Sequence, residues 1–103
     1  MRVVLHPEAH AEFRAAALWY DEQRTGLGDD FVAEVTAILG RIGDTPKVFP
    51  LWPGPGPMPE SIRRAVITRF PYVVAFQALP EHILVLTVAH VKRRPLYWLS
   101  RSR

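Results

Sequence analysis

Apolar residues along the first half of the chain recur with the spacing of two amphipathic helices. A short apolar run over residues 3–5 stops at Pro7 and predicts a first strand. Pro7 suits the first position of a helix, so a first helix is expected to begin there and to end near Arg24. Its predicted buried stripe is Phe13, Ala17 and Tyr20. The polar residues expected to face away from that stripe are Glu12, Arg14, Asp21 and Glu22.

The second helix has the clearest helical period in the chain. Gly26-Leu27-Gly28 separates it from the first helix, and a left-handed glycine is expected in that break. Asp29 and Asp30 then fall in its first turn, where the helix dipole favours acids. Gly43 is predicted to end the helix, and Pro46 prevents its continuation. The predicted apolar stripe is Phe31, Val35, Ile38, Leu39 and Ile42.

Three strand-like segments occupy the second half of the chain. They span residues 63–69, 72–78 and 83–90, and the turn at 80–82 is expected to join the last two as a hairpin. Alternation in the middle segment places three large side chains on one face, namely Tyr72, Val74 and Phe76.

A proline-rich loop separates the helices from these strands. Residues 50–59 hold five prolines and two glycines, and the loop either carries Trp52 toward a partner or only bridges helices and sheet. The order of elements is therefore β-α-α-β-β-β. We expect one α+β domain, residues 1–103, in which a helical hairpin packs on one face of a mainly antiparallel sheet. With 103 residues, 49% of them hydrophobic, the chain can build a single modest core.

The composition excludes several classes of site. The chain has no cysteine, which excludes disulfides, thiolate nucleophiles and cysteine-ligated metals. No apolar run approaches the roughly 20 residues of a membrane helix, and the first residues are interrupted too soon for a secretory signal. The serines lack the glycine elbow of a hydrolase. We therefore expect a cytoplasmic protein with no cofactor and no membrane association.

Two of the four histidines have the spacing of metal ligands on a helix. His6 and His10 stand four residues apart, but no acid completes a ligand set, so capping or surface roles and no metal site are expected. His82 falls in a turn. His90 ends a strand beside the basic residues. It is either a general base or phosphate contact, or a structural residue whose ring nitrogen bonds a neighbouring strand.

The charge of the chain is strongly uneven. Residues 1–60 hold five lysines and arginines against nine acids, whereas residues 61–103 hold eight against Glu81 alone, giving formal charges of −4 and +7. Such a distribution points to an acidic partner, either nucleic acid or an acidic protein segment. The eight cations are Arg63, Arg64, Arg69, Lys92, Arg93, Arg94, Arg101 and Arg103.

Two aromatic residues follow the last cluster of cations. Trp98 is expected to close the open end of the core after the last strand. Tyr97 alternates with it, so one of the two should face solvent, where it can stack on a base or pack against a partner.

Five segments, in order across nearly the whole chain, resemble the RelE/ParE superfamily of toxins from bacterial toxin–antitoxin modules, and within it the ParE branch. The first resembles the strand-to-helix start of the family and the second its helix–Gly-Leu-Gly–helix hairpin. The segments are Val4-Leu5-His6-Pro7-Glu8-Ala9, Trp19-Tyr20-Asp21-Glu22-Gln23-Arg24-Thr25-Gly26-Leu27-Gly28-Asp29-Asp30-Phe31, Ile62-Arg63-Arg64, Arg69-Phe70-Pro71-Tyr72-Val73-Val74 and Val88-Ala89-His90-Val91-Lys92-Arg93-Arg94-Pro95-Leu96-Tyr97-Trp98.

The resemblance implies a toxin that a cognate antitoxin neutralises. In this family the acidic, flexible C-terminal segment of the antitoxin folds over the toxin, so a toxin–antitoxin hetero-oligomer is expected. The basic end of the chain suits such a segment. The residues expected to contact partners are Arg63, Arg64, Arg69, Lys92, Arg93, Arg94 and Tyr97.

The resemblance leaves two toxic activities open. ParE-like members are described as inhibitors of DNA gyrase, whereas RelE-like members cut mRNA on the ribosome without a metal. RelE-type sequences tend to carry an arginine after the tyrosine that here is Tyr72, where this chain has Val73. They also carry two lysines, two residues apart, where this chain has Arg64 and Val66. Because cations that stabilise developing phosphate charge are missing, gyrase inhibition is favoured.

The nuclease remains the alternative interpretation. Its catalytic residues would be Arg64, His90, Arg93 and Tyr97. A third possibility is a non-toxic remnant that only binds an antitoxin.

Overall fold

The computed structural model describes residues 1–54 and 61–103 and shows the expected order of elements. The part of the proline-rich loop beyond Gly54, residues 55–59, lies outside the described ranges. The helices and strands are β1 Val3–Leu5, α1 Pro7–Gln23, α2 Leu27–Asp44, β2 Ile62–Val66, β3 Tyr72–Ala78 and β4 Ile83–His90. Short 3-10 turns follow at Pro46–Val48 and Leu99–Arg101.

The four strands described form one sheet in the order β1-β4-β3-β2. β1 runs parallel to β4, and the other neighbouring strands are antiparallel. Both helices pack on one face of the sheet, so the α+β architecture is confirmed. β1 pairs with β4 only as far as Leu5 opposite Val85. Beyond that point α1 lies beside β4.

A tight turn joins the two helices. Gly26 has the left-handed backbone that was predicted, with φ at +90°. The Asp21 carboxylate accepts hydrogen bonds from the backbone N–H groups of Gly26 at 2.9 Å and Gly28 at 3.3 Å. A Cβ on Gly28 would lie 2.5 Å from the carbonyl oxygen of Ala17. The helices therefore approach so closely that only glycine fits without a shift.

β2 is shorter than the sequence predicts. It ends at Val66 rather than at residue 69, and the backbone N–H of Ile67 donates to the carbonyl of Tyr72 at 3.0 Å. Phe70 lies in the turn that follows and is buried below the helices, with its ring centroid 5.2 Å from that of Phe31. Because the Phe70 ring is buried in this way, the strand ends at Val66, three residues before the predicted end at residue 69.

The inner core fills the space between the helices and the sheet. The helical stripes and the alternation in β3 were predicted correctly, although several members are only partly buried. Fully buried members include Phe31, Val35, Ile42, Val74 and Phe76, and partly buried ones are Phe13, Ala17, Tyr20, Ile38, Leu39 and Tyr72.

A smaller outer core covers the opposite face of the sheet. Trp98 is 2% exposed there. It was expected at the open end of a single core, but it closes this second core instead. Its ring centroid lies 4.8 Å from that of Trp52, which is partly buried and packs against this core. The side chain of Gln77 exchanges hydrogen bonds with the backbone of Arg103, at 2.8 and 2.9 Å. These contacts hold residues 91–103, called here the C-terminal segment, against the sheet.

Candidate functional site

An open cleft of about 340 Å³ lies between α1, the end of β4 and the C-terminal segment. It forms because β1 leaves the second half of β4 uncovered and because the facing residues are small, Ala15 and Ala16 on α1 and Ala89 on β4. The larger side chains that line the cleft are Glu12, Trp19, Tyr72, His90, Arg93 and Tyr97. The site therefore joins residues from both ends of the chain.

Glu12 is the hub of a hydrogen-bonded network at the floor of this cleft. Its carboxylate accepts hydrogen bonds from the Thr87 hydroxyl at 2.7 Å, from the Tyr97 hydroxyl, and from the Arg101 guanidinium at 2.9 and 3.3 Å. The side chains of Glu12 and Arg101 are only 16% and 14% exposed. Arg101 also donates to the backbone carbonyl of Leu86 at 3.0 Å. One carboxylate thus links α1, β4 and the C-terminal segment.

Burial and hydrogen bonding in this network shift the pKa values of the Glu12 carboxyl and the Tyr97 hydroxyl. Burial raises the pKa of Glu12, but hydrogen bonds from Arg101, Tyr97 and Thr87 and the Arg101 charge outweigh it, so the pKa lies below 4.5. Burial and the hydrogen bond to Glu12 raise the pKa of Tyr97 above 10.0. At neutral pH Glu12 is therefore ionised, and Tyr97 is a neutral hydroxyl that donates to it. This arrangement makes Tyr97 a poor general base.

Arg93 and His90 form the upper wall of the cleft. The Arg93 guanidinium carbon lies 4.3 Å from the centroid of the Tyr97 ring, within the range of a cation–π contact. His90 Nδ1 accepts a hydrogen bond from the backbone N–H of Lys92 at 3.1 Å. The neutral His90 ring therefore carries its proton on Nε2. Its ring also meets the Tyr72 ring edge-on, with centroids 5.3 Å apart.

The structure brings only some of the sequence-predicted residues together. Arg93, His90 and Tyr97 share the cleft, and Lys92 and Arg94 are exposed beside it. Arg64 is absent from the cleft lining and sits on β2, which β3 separates from β4. Its Nε is buried and finds no hydrogen-bond partner among residues 1–54 and 61–103.

Two further predicted cations are engaged elsewhere. The Arg63 guanidinium donates to the carbonyl of Phe49 at 2.7 Å, which ties β2 to the end of the helical half. Arg69 lies 3.6 Å from Asp30 and 3.5 Å from Glu34, two acids of α2. Much of the charge of Arg69 is therefore already matched within the molecule.

Sequence reasoning missed the centre of the site. Glu12 was expected to face away from the buried stripe, and this expectation was wrong, because α1 turns its Glu12 flank toward the uncovered half of β4. One signal was Thr87, a polar residue inside the apolar run of β4, since a buried hydroxyl needs a partner. His6, by contrast, caps α1 as predicted, because its Nδ1 accepts from the N–H of Glu8 at 3.1 Å.

Within residues 1–54 and 61–103, no three histidine, aspartate or glutamate side chains come together as a metal-binding group. In the same ranges, no helix has both the length and the apolar character needed to cross a membrane.

Comparison with known proteins finds a similar fold in solved structures but no related sequence among curated proteins. No protein-family model matches the sequence, and no curated protein matches it. A solved structure does match, described as the chromosomal ParDE TA system from P. aeruginosa, with a TM-score of 0.63. The alignment covers 87% of this chain and 95% of that chain, at 16% sequence identity. The chain has a ParE-like fold. At this identity the likeness establishes the fold alone.

Proposed function

We propose that this protein is the toxin subunit of a type II toxin–antitoxin module, acting in the cytoplasm and neutralised by a cognate antitoxin. The observation that carries the proposal is the ParE-like fold, which aligns over 87% of the chain with a structure from a ParDE TA system. The residues support it independently, because the segments resembling the ParE branch include the helical hairpin and the wall of the basic cleft.

The cleft and its rim are the proposed docking surface for the antitoxin. Lys92, Arg93 and Arg94 are exposed on the rim and no salt bridge engages them within the described ranges. Apolar surface lies next to these charges, since Trp19 is 55% and Val91 56% exposed. An acidic amphipathic segment satisfies both features, because its carboxylates pair with the rim and its apolar residues cover the exposed side chains.

The proposed target is DNA gyrase rather than mRNA. A metal-independent nuclease needs free cations around the scissile phosphate and a group able to take a proton. Here Glu12 neutralises Arg101 and holds the Tyr97 hydroxyl, and Arg64 lies outside the cleft. A carboxylate at the floor of the cleft repels a phosphate, and each missing cationic contact costs about 3 kcal/mol of transition-state stabilisation.

One observation favours the ribosome-dependent nuclease as a second candidate. Arg93, His90 and Tyr97 line one cleft, as an RNA-cleaving site would require, and His90 presents a protonated Nε2 in its neutral form. In this alternative Arg93 would contact the phosphate and His90 would move the proton. Binding to ribosomes and mRNA would then replace binding to gyrase.

The test is expression of the chain without an antitoxin, followed by mapping of mRNA 5′ ends and of gyrase-linked DNA breaks in the same cells. We expect DNA breaks trapped with gyrase and intact mRNA. Codon-phased mRNA cuts with intact DNA would overturn the gyrase proposal and support the nuclease. A chain that causes neither effect but still binds its antitoxin would be the non-toxic remnant.

A further inference from the structure

The C-terminal segment reaches the cleft with little support from regular backbone pairing. After Val91, whose N–H donates to Pro71, the backbone hydrogen bonds in the described part of this segment are short turns such as Arg93 to His90 at 3.0 Å. Leu96 has φ at +61°, a conformation that residues other than glycine rarely adopt. Side-chain contacts must therefore set the path of the segment and hold this strained residue.

Besides the burial of Trp98 and the hydrogen bonds between Gln77 and Arg103, the side-chain contacts of the segment converge on Glu12. The carboxylate receives hydrogen bonds from Tyr97 and Arg101, which flank the buried Trp98, and from Thr87 on β4. Charge-assisted hydrogen bonds of this kind are stronger than neutral ones, and the low exposure of the pair shields them from water. Glu12 therefore ties residues 97 and 101 to α1 and fixes the orientation of the Tyr97 ring.

The orientation of Tyr97 in turn places Arg93. The Arg93 guanidinium carbon lies 4.3 Å from the centroid of the Tyr97 ring, so this cation–π contact supports the exposed Arg93 side chain. Rotation or withdrawal of Tyr97 removes that support and releases a long, flexible side chain. We propose that Glu12 is a positioning residue, which acts through Tyr97 to hold Arg93 at the mouth of the cleft. That Arg93 meets an acidic segment there rests on the proposed function.

A purely electrostatic explanation and the positioning role predict opposite effects of removing Glu12 on the binding of an acidic partner, so an experiment can distinguish them. Glu12 is a negative charge at the floor of a basic cleft, so removing it should strengthen binding of an acidic partner if charge alone matters. If Glu12 positions Arg93, removing it should weaken binding, although Glu12 carries the same sign of charge as the acidic partner. The two explanations therefore predict changes in binding affinity of opposite sign.

The experiment compares the intact chain with three variants and one control. Glu12→Gln removes the charge, Glu12→Asp keeps the charge but withdraws the carboxylate, and Tyr97→Phe removes only the hydroxyl. The control is Glu22→Gln, an exposed acid on the same helix. Amide hydrogen exchange is measured for Arg93, Leu99 and Arg101, whose N–H groups donate to backbone carbonyls, and binding is measured at low salt with fluorescein-labelled poly-L-glutamate as the acidic probe.

We expect exchange of the Arg93, Leu99 and Arg101 amides to be about 10-fold faster in all three variants and unchanged in Glu22→Gln, because loss of a charge-assisted hydrogen bond shifts local opening by that order. Poly-L-glutamate should bind more weakly to Glu12→Gln and no more weakly to Glu22→Gln. Because Glu12→Gln removes a buried charge and risks unfolding the chain, Tyr97→Phe provides the same test with a smaller perturbation.

The outcomes separate the positioning role from the docking surface. Wild-type exchange in Tyr97→Phe and Glu12→Asp overturns the positioning role, and so does unchanged or tighter binding of poly-L-glutamate by Glu12→Gln. If exchange accelerates as expected but the wild-type chain does not bind poly-L-glutamate, the positioning role stands and the proposed acidic docking surface fails.

Discussion

The buried ion pair between Glu12 and Arg101 gives a quantitative prediction for stability. Arg101→Met keeps much of the side-chain volume but removes the guanidinium, which donates to Glu12 at 2.9 and 3.3 Å and to the Leu86 carbonyl at 3.0 Å. Both charged side chains are less than one fifth exposed, so water cannot readily replace these bonds. Removing one member of a buried pair typically costs about 3–5 kcal/mol, because the other charge is left uncompensated.

We therefore expect Arg101→Met to lower the free energy of unfolding, measured by urea denaturation at neutral pH, by about 3–5 kcal/mol. The matched control is Arg69→Met, which removes an arginine paired with two acids at 3.5 and 3.6 Å but 54% exposed. That exposed pair should contribute less than about 1 kcal/mol. The two substitutions differ mainly in the burial of the ion pair.

A double-mutant cycle isolates the pair itself. Combining Glu12→Gln with Arg101→Met should cost about 2 kcal/mol less than the sum of the single substitutions, because neither buried charge is then left alone. Strict additivity, or a cost for Arg101→Met no larger than that for Arg69→Met, would refute the view that the network is a coupled unit.

Because the folded-state pKa of Glu12 is depressed below 4.5, its contribution to stability is present above that value and is lost as the pH falls through the folded pKa. Wild-type stability should therefore fall more steeply than that of Glu12→Gln as the pH drops below the ordinary range of a glutamate carboxyl in urea titrations. Arg93→Glu combined with Arg94→Glu should weaken antitoxin affinity, measured by calorimetry, mainly at low salt, since these exposed cations are screened at high salt. Gly28→Ala should destabilise the chain by about 1–3 kcal/mol in the same denaturation assay, because its Cβ meets the Ala17 carbonyl at 2.5 Å.

Each of these predictions has a control in the chain. Equal pH slopes for the wild type and Glu12→Gln would contradict the coupling of Glu12 to folding. Arg2→Glu with Arg24→Glu makes the same change in charge in the acidic half and should leave antitoxin affinity nearly unchanged; an equal loss would show that net charge alone controls binding. Gly40→Ala meets open space and should be neutral or stabilising, and a cost as large as that of Gly28→Ala would argue against the steric explanation.

The elements of the fold were largely predictable because each follows from local spacing. The apolar period of α2, the alternation in β3 and the left-handed Gly26 are properties of a few consecutive residues. The end of β2 was not predictable in this way. It depends on the burial of Phe70 against α2, which is a tertiary contact that no local pattern in 63–69 encodes.

The sequence predicted the cationic residues near the candidate site but not Glu12, the carboxylate at its centre. The density of cations after residue 61 identified Arg93 and its neighbours, whereas Glu12 read as one more polar residue on the solvent side of α1. Which flank of α1 faces the sheet depends on how far β1 covers β4, and the sequence of α1 does not contain that information. The distinction between Arg93 in the cleft and Arg69, paired with α2, likewise appears only in three dimensions.

The outer core and the Glu12 network impose an order on folding during synthesis. Glu12 and Arg101 are 89 positions apart, and Trp98 fills a core whose other fully buried members begin at Ile62. Chains emerge from the ribosome with the N-terminal part first, so the helical hairpin is free to form while residues 98–103 are still inside the exit tunnel. Until those residues emerge, the outer sheet face stays uncovered and Arg93 lacks its support. The basic cleft therefore matures only after residues 98–103 have emerged, and a nascent chain cannot present it to any partner beforehand.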